Sequence, residues 1–445
     1  MNVAVQKTKA EAAFIDAYAT RKDALPHAGW LEPKREAAFE SFSAHGLPNR
    51  RVEEWKWTDL RRHLNEAYPP LVAAEPEAGA VETLLARDPF AQIGRKRLVF
   101  VDGRFDAGLS DAQGLDGVEV HALNDVMADP PSWAREILGN LFGAGRDPVA
   151  ELNTVFLADG ALVRIADGAE IATPLELVFV NARTAPRMTA VRNVVAVGAG
   201  ARATLLETHL GSGPYLADIV TETVVGKGAE LERVRVQADD TEAVQLSNSH
   251  IELEADAVLR DVTLTMGGRL TRNQLFVKYR GEGADAHIAG SYLLAGNQHC
   301  DTTMVVNHAV PSCQSRELFK CVMDDTAHGV FQGKIMVAPE AQKTDGKQQS
   351  HGLLLSERAE FDSKPELEIF ADDVACGHGA TSGALDDRLI FYLRARGIPE
   401  AQAKSLLIAA FVREAFDDIA HEGARDVLAG LAEGWLAERK GGIDG

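Results

Sequence analysis

GARATLLETHLGSGPYLADIVTETVVGK (residues 200–227) is followed by GAELERVRVQADDTEAVQLSNSHIELEA (228–255), DAVLRDVTLTMGGRLTRNQLFVKYRGE (256–282) and GADAHIAG (283–290). Each segment opens on a turn residue and a small one: Gly200-Ala201, Gly228-Ala229, Asp256-Ala257 and Gly283-Ala284, spaced 28, 28 and 27 residues apart. Behind these anchors, apolar or small residues return in phase. Ala203, Leu231, Leu259 and Ala286 share one offset; Leu206, Val234, Val262 and Ala289 follow three residues further on. Self-similarity at a fixed period marks a repeat architecture. At about 3.3 Å per extended residue, one period supplies roughly 90 Å of chain, enough to circle a narrow apolar core once. A β-sandwich also has regularly spaced strands, at about 8–12 residues, but no reason to keep one longer period. The fold read from this stretch is a mainly β, right-handed parallel β-helix.

Outward from the repeat, valine, threonine and isoleucine dominate from Asp159-Gly160 to about residue 375. Upstream, LVFVDGRF (98–105) predicts a hairpin on its Asp-Gly turn, and a helical interruption carrying Trp133, Ile137, Leu138 and Leu141 spans 133–156. The first 66 residues read as helical around Ala10–Tyr18 and Pro33–Phe42. LPNRRVEEWKWTDL (47–60) brings Trp55 and Trp57, expected to pack this cap onto its neighbour, before a Pro- and Glu-containing linker at 68–80. A solenoid has two open ends that must be covered or paired. At the far end, Asp386-Asp387 opens a helix that Gly397 closes. Pro399 then stands at a first helical position, ahead of a helix with Leu406, Leu407, Ala410 and Phe411 as its apolar face, and a third helix is expected at 424–439. The domain division is 1–95, an N-terminal helical domain and linker; 96–383, the β-helix core with entry strands and a helix to about 156; and 384–445, a C-terminal helical domain.

Length and charge limit the function. The 445 residues amount to about three domain-sized units. With 46 Lys and Arg against 66 Asp and Glu, the net charge of −20 repels phosphate backbones and anionic membranes, so neither nucleic acid nor membrane is an expected partner. The longest apolar run, Leu406–Val412, falls far short of the roughly 20 residues that cross a bilayer. The start, MNVAVQKTKAEAAF, lacks a basic region followed by an apolar core, so a cytoplasmic location is expected.

Four cysteines, Cys300, Cys313, Cys321 and Cys376, show no CxxC pairing and are expected to be reduced thiols. They share a window with seven of the thirteen histidines (His250, His287, His299, His308, His328, His351, His378), a grouping compatible with soft-ligand chemistry or with buried thiols and ordinary histidines. His299, Cys300, Cys313 and Cys321 have no spacing that forms a tetrahedral set. GVFQGKI (329–335) has three residues between its glycines where a phosphate loop has four, and Ile335 replaces the magnesium-binding hydroxyl. VGAGARA (197–203) lies inside the repeat and opens no helix. HExxH and GxSxG are absent. The acidic pairs Asp324-Asp325, Asp372-Asp373 and Asp386-Asp387 read as turns or helix starts, although a cytoplasmic β-helix enzyme acting on carbohydrate stays as the alternative function.

KPELEIFADDVACGHGATSGALDDRLIFYLRARGIP (364–399) holds Cys376 and His378 two residues apart, which puts them on one face of an extended strand. Here the chain resembles the SufB/SufD family of iron–sulfur cluster assembly proteins. The resemblance rests on HGAT (378–381), LLLSERAEFDSKPELEIFADDV (353–374), VFQGKIMV (330–337), FYLRARGI (391–398) and EEWKWT (53–58), and it extends along most of the chain. CGHGAT (376–381) looks like the SufD branch, and Ala359 stands where SufB-type subunits carry a cysteine associated with cluster building.

The resemblance implies a non-catalytic scaffold of the SufBCD complex, not an enzyme. It implies pairing with a SufB-type subunit through the β-helix and docking of a SufC-type ABC ATPase on the C-terminal helices; for the isolated chain the sequence leaves homodimer and heterocomplex both open. No cofactor would be bound stably by this chain alone; iron or a cluster would pass transiently through the complex. His378 is the implied metal ligand at the subunit interface, and Cys376 is either a second ligand there or a structural thiol.

Overall fold

The structure, a computed structural model, describes residues 7–65, 68–70, 79–112, 114–142 and 147–440. The linker expected at 68–80 lies mostly outside these residues. At the N-terminus, α1 (Lys9–Arg21) starts from a capping box: the Glu11 N–H donates to the Thr8 hydroxyl and the Thr8 N–H to the Glu11 carboxylate. It is followed by α2 (Glu32–His45) and the short α3 (Leu60–His63) and α4 (Ala80–Leu85). The expected hairpin forms from β1 (Lys96–Val101) and β2 (Arg104–Asp106), with Asp102 and Gly103 at φ 48° and 77°, the left-handed pair that a tight hairpin turn favours. After β3 (Val118–Ala122), the helices α5 (Ser132–Ile137) and α6 (Pro148–Phe156) interrupt the strands.

From there the chain winds between two parallel sheets. One contains β4 (Ala161–Ile165), β6 (Arg187–Val197), β8 (Tyr215–Val225), β10 (Val244–Leu253), β12 (Leu270–Tyr279), β14 (His299–His308), β16 (His328–Val337) and β18 (Glu360–Ile369). The other contains β5 (Leu175–Asn181), β7 (Arg202–Gly211), β9 (Glu230–Ala238), β11 (Val258–Thr265), β13 (Asp285–Leu294), β15 (Gln314–Met323), β17 (Asp345–Leu354) and β19 (Gly377–Gly383). Each coil gives one strand to each sheet, so the chain is a parallel β-solenoid of about eight turns. The hairpin strand β1 pairs with β5, and β3 pairs antiparallel with β4, closing the N-terminal end.

The repeat is the ladder register itself. Ala203, Leu231, Leu259 and Ala286 are direct partners across β7, β9, β11 and β13, and so are Leu206, Val234, Val262 and Ala289. An offset of three sends the two rows to opposite faces of the sheet. The first row lies in the solenoid interior; the second lies outside it, under the C-terminal helices. The anchors Gly200, Gly228, Asp256 and Gly283 have φ of 66°, 63°, 57° and 76°, the left-handed turn that glycine and aspartate tolerate. The same turn recurs at Ser312 and Lys343, with φ of 60° and 64°, where no glycine marks it.

The interior is less apolar than expected. Inward positions of successive coils carry an Arg233–Asp261 ion pair, Glu207 bonded to His209, and Arg235 bonded to Ser247 and Thr263. These groups are buried and paired by charge or hydrogen bond, which is the condition under which an interior tolerates charge, while Glu207 Oε2 and Arg233 Nε have no hydrogen-bond partner among the described residues. Burial pushes the Glu207 carboxyl upward, yet His209, Arg235 and Arg233 outweigh it and hold the group at about 2.

At the other end follow α7 (Asp387–Arg394), α8 (Glu400–Arg413) and α9 (Glu422–Lys440); α8 and α9 lie over the outer face of the β5–β19 sheet, and α7 packs against α8. Asp386 caps α7 by accepting the Arg388 N–H. Pro399 is the residue before α8, one position earlier than expected. The apolar face of α8 also differs from expectation: Ala403, Ile408 and Val412 are buried, whereas Leu406 is 48% exposed and Ala410 is exposed. In LLIAAFV (406–412) every side of the helix is apolar, so neighbours, not periodicity, choose the face that is covered.

The EEWKWT segment ties the N-terminal region to the solenoid. Buried Trp55 lies 4.3 Å from the Arg272 guanidinium, and the Glu54 carbonyl accepts from Arg272 Nη2 at 2.7 Å and Gln332 Nε2 at 3.1 Å. The Thr58 hydroxyl donates to Asp301, which pairs with Arg272, and lies 2.9 Å from His299 Nε2. Trp57 is only half-buried, beside Lys56.

Candidate functional site

The two sheets end at β18 and β19, which among the described residues have no further strand beside them. Burial falls away accordingly: β18 is half-buried and β19 largely exposed. Two inward rows of residues run out to this end. One is the apolar repeat row continued: Leu259, Ala286, Ser315 and Gly346 are partners in turn, and Cys376 sits one residue before the β19 ladder begins, against the Gly346 backbone. The other reads Arg233, Asp261, Ile288, Glu317, Gln348 and His378, each directly paired with the next.

His378 is therefore the last member of an inward-facing row and is exposed because no ninth coil covers it. Cys376 is half-buried against the interior core. Burial pushes its thiol above the ordinary value, and Asp345 and Glu317 act in the same direction, while the Gly346 amide opposes them. A raised thiol is mostly protonated at neutral pH and becomes a ligand only when a metal displaces its proton. Cys300, Cys313 and Cys321 are buried, and burial raises each of their thiols, so they belong to the packing.

The clustering of cysteines and histidines in the sequence does not become a ligand cage. Among the described residues, no group of three or more His, Cys, Asp or Glu side chains is arranged to hold a metal ion. His299, half of the His299-Cys300 pair, instead lies between His63, tilted at 5.1 Å, and His328, edge-on at 4.7 Å, on the outside of the solenoid. Sequence reasoning missed Glu317 and Gln348. They could have been found by carrying the period forward from Ile288 in steps of 29, 31 and 30 residues to His378, but the Ser312 and Lys343 turns lack the glycine that signals them.

A second surface lies on the C-terminal helices. α7 buries only Ile390, leaving Leu389, Phe391 and Tyr392 at 49%, 73% and 53% exposure, with Leu406 of α8 also exposed. Large apolar and aromatic side chains grouped in water mark an interaction surface.

The chain is thus a parallel β-solenoid protein with helical regions before and after the solenoid and Cys376 and His378 near its open end. Comparison with known proteins gives the family. Residues 179–411 match the model described as SUF system FeS cluster assembly, SufBD core domain, and residues 8–177 match the SufBD protein N-terminal region. The chain is 30% identical to the iron–sulfur cluster assembly protein SufD of Escherichia coli, covering 90% of this chain and 92% of that one. It is 30% identical to a SufBD family protein of Synechocystis, covering 87% of each chain, and 25% identical to SufD of Bacillus subtilis, covering 91% and 93%. The chain belongs to the SufBD family of the SUF iron–sulfur cluster assembly system. Among the described residues, no helix is long and apolar enough to cross a membrane.

Proposed function

We propose that this chain is a SufD-like, non-catalytic scaffold that works in the cytoplasm as part of a SufBCD-type complex. Its open solenoid end pairs with a SufB-type subunit, its C-terminal helices receive a SufC-type ABC ATPase, and His378, with Cys376, handles iron or a nascent cluster between the two β-helices. The observation that carries this reading is the exposed His378 on the terminal strand, two residues from a half-buried thiol. One imidazole and one thiol are borderline and soft ligands suited to iron, but two ligands do not complete a site. A second chain across the open end supplies what is missing, and the unpaired edges of β18 and β19 favour such a neighbour. Buried Ala359, where a cysteine would mark the SufB type, supports the SufD side of the family.

His378→Ala, purified with its partners, is expected to fold and assemble normally while iron and sulfide in the complex fall several-fold; unchanged iron content would remove His378 from the site. For the ATPase surface, Phe391→Glu is expected to leave the melting temperature within about 1–2 °C, because the ring is exposed, yet to abolish co-purification of the ATPase. Retained ATPase would locate its docking surface elsewhere.

A further inference from the structure

Beside the EEWKWT contact, part of the outer face of the β4–β18 sheet is left open. Along β12, Leu275, Val277 and Tyr279 enter the interior core, so Gln274, Phe276 and Lys278 face outward. A cleft of about 870 Å³ lies over them, between residues 48–55 on one side and Asp147 and Pro148, at the start of α6, on the other. Its floor runs from His250 on β10 to Glu366 on β18, four strand spacings or about 19 Å, the length of about six extended residues. The middle of the floor is apolar: Phe276 stacks on His250 at 4.7 Å, is directly paired with Val305, and has Met336 of β16 further along.

Charge and hydrogen bonding both favour an occupant that is cationic and rich in donors. Five carboxylates line the cleft, those of Glu53, Glu54, Asp147, Glu252 and Glu366, against the ammonium groups of Lys278, Lys334 and Lys364, in a chain whose net charge is −20. Lys334 is spent on Glu368, and Lys364 on Glu53 and Glu366; among the described residues, Glu54 and Lys278 have no ion-pair partner. Gln274 is 6% exposed, and its Oε1 has no hydrogen-bond partner among the described residues. Unlike the unpartnered oxygens of the solenoid interior, this acceptor lines a cleft that a donor can enter. An extended peptide supplies backbone N–H donors and, by its two-residue alternation, apolar side chains on one face and charged ones on the other. We infer that this cleft binds an extended basic segment of a partner protein, which lays its apolar side chains on Phe276, Val305 and Met336 and turns its cationic ones to the carboxylates around them. The cleft is on the other sheet from the one that carries α8 and α9, and the inference depends neither on His378 nor on pairing through the open end.

The probe is a fluorescein-labelled hexapeptide of alternating lysine and leucine, titrated with the full-length chain and followed by fluorescence anisotropy. Saturable one-to-one binding is expected, about tenfold or more weaker for the matching peptide of glutamate and leucine. Phe276→Ala is expected to weaken binding about tenfold, and Lys278→Glu, which removes the unpaired opposing charge, to tighten it about threefold or more at low salt. Phe391→Ala, on the exposed patch of α7, is expected to leave the affinity unchanged. Absence of saturable binding by the basic peptide, equal affinity for the two peptides, or binding lost in Phe391→Ala and kept in Phe276→Ala overturns the inference. Should Phe276→Ala fail to fold, Lys278→Glu decides: an affinity that is unmoved or weaker places the peptide elsewhere. His378→Ala is expected to bind the basic peptide as the wild type does, so failure of the cleft and failure of the proposed role of His378 are read separately.

Discussion

Glu317 is 2% exposed and carries a carboxyl into the solenoid interior. A carboxyl raised to about 8 by burial binds its proton more tightly in the folded chain than in the unfolded one, where its value is near 4.5. Its stability contribution is therefore complete below about pH 4.5 and is lost as pH rises through 8. Glu317→Gln, which keeps the shape and cannot ionise, is expected to match the wild type near pH 5. Above pH 8.5, in divalent-free buffer, it should be the more stable protein by a few kcal/mol, on the order of 4 at the limit. Urea unfolding of both proteins at the two pH values measures this, and parallel pH profiles would show that the carboxyl is solvated after all. Cys376 is legible from its sequence position because two residues in a strand share a face. Its half-burial is not, since that depends on Gly346 and the interior packing of another coil.

At the scale of elements, the contact between the EEWKWT segment and strands β12, β14 and β16 decides whether the N-terminal region stays attached. Trp55 and Thr58 sit on Arg272 and Asp301, and removing Trp55 takes away a ring that is almost wholly buried. Trp55→Ala is expected to cost about 3–5 kcal/mol and to open the segment around residues 47–65 to protease while the solenoid remains resistant. The same contact should respond to acid. Burial lowers His299 well below the ordinary histidine value, with His328, His63 and Arg272 adding to it; burial and Arg269 lower His63. A base whose folded value is depressed gives its stability above the unfolded value, near 6.5, and loses it progressively as pH falls toward the folded value. Proteolysis of the segment is thus expected to quicken between pH 6.5 and 5, and a flat rate over that window would mean that these histidines do not hold the contact. EEWKWT was recognisable as a motif, but its partners lie more than 200 residues away, and no local spacing reveals them.

For the whole molecule, the C-terminal helices form part of the solenoid's outer wall, not a detachable cap. Leu206, Val234, Val262, Ala289 and Val322 on the sheet pack with Ile408, Val412, Phe416, Leu428 and Trp435 in one apolar cluster. Each buried aliphatic side chain is worth about 1.5–3 kcal/mol, so truncation at residue 386 is expected to expose this face and yield aggregates, detectable by light scattering. A monodisperse truncated chain would mean that the cluster adds little. The 28-residue winding, the hairpin at Asp102-Gly103 and the terminal helices are all legible along the chain, because left-handed turns select glycine or aspartate and strand rows select apolar residues locally. Which row faces inward, which side of α8 is covered, and the succession of Glu317, Gln348 and His378 toward the open end follow from how the coils pack. Those relations join residues about 30 apart through ladder registers of 29, 31 and 30, and a register is a property of two strands meeting in space, not of either strand alone.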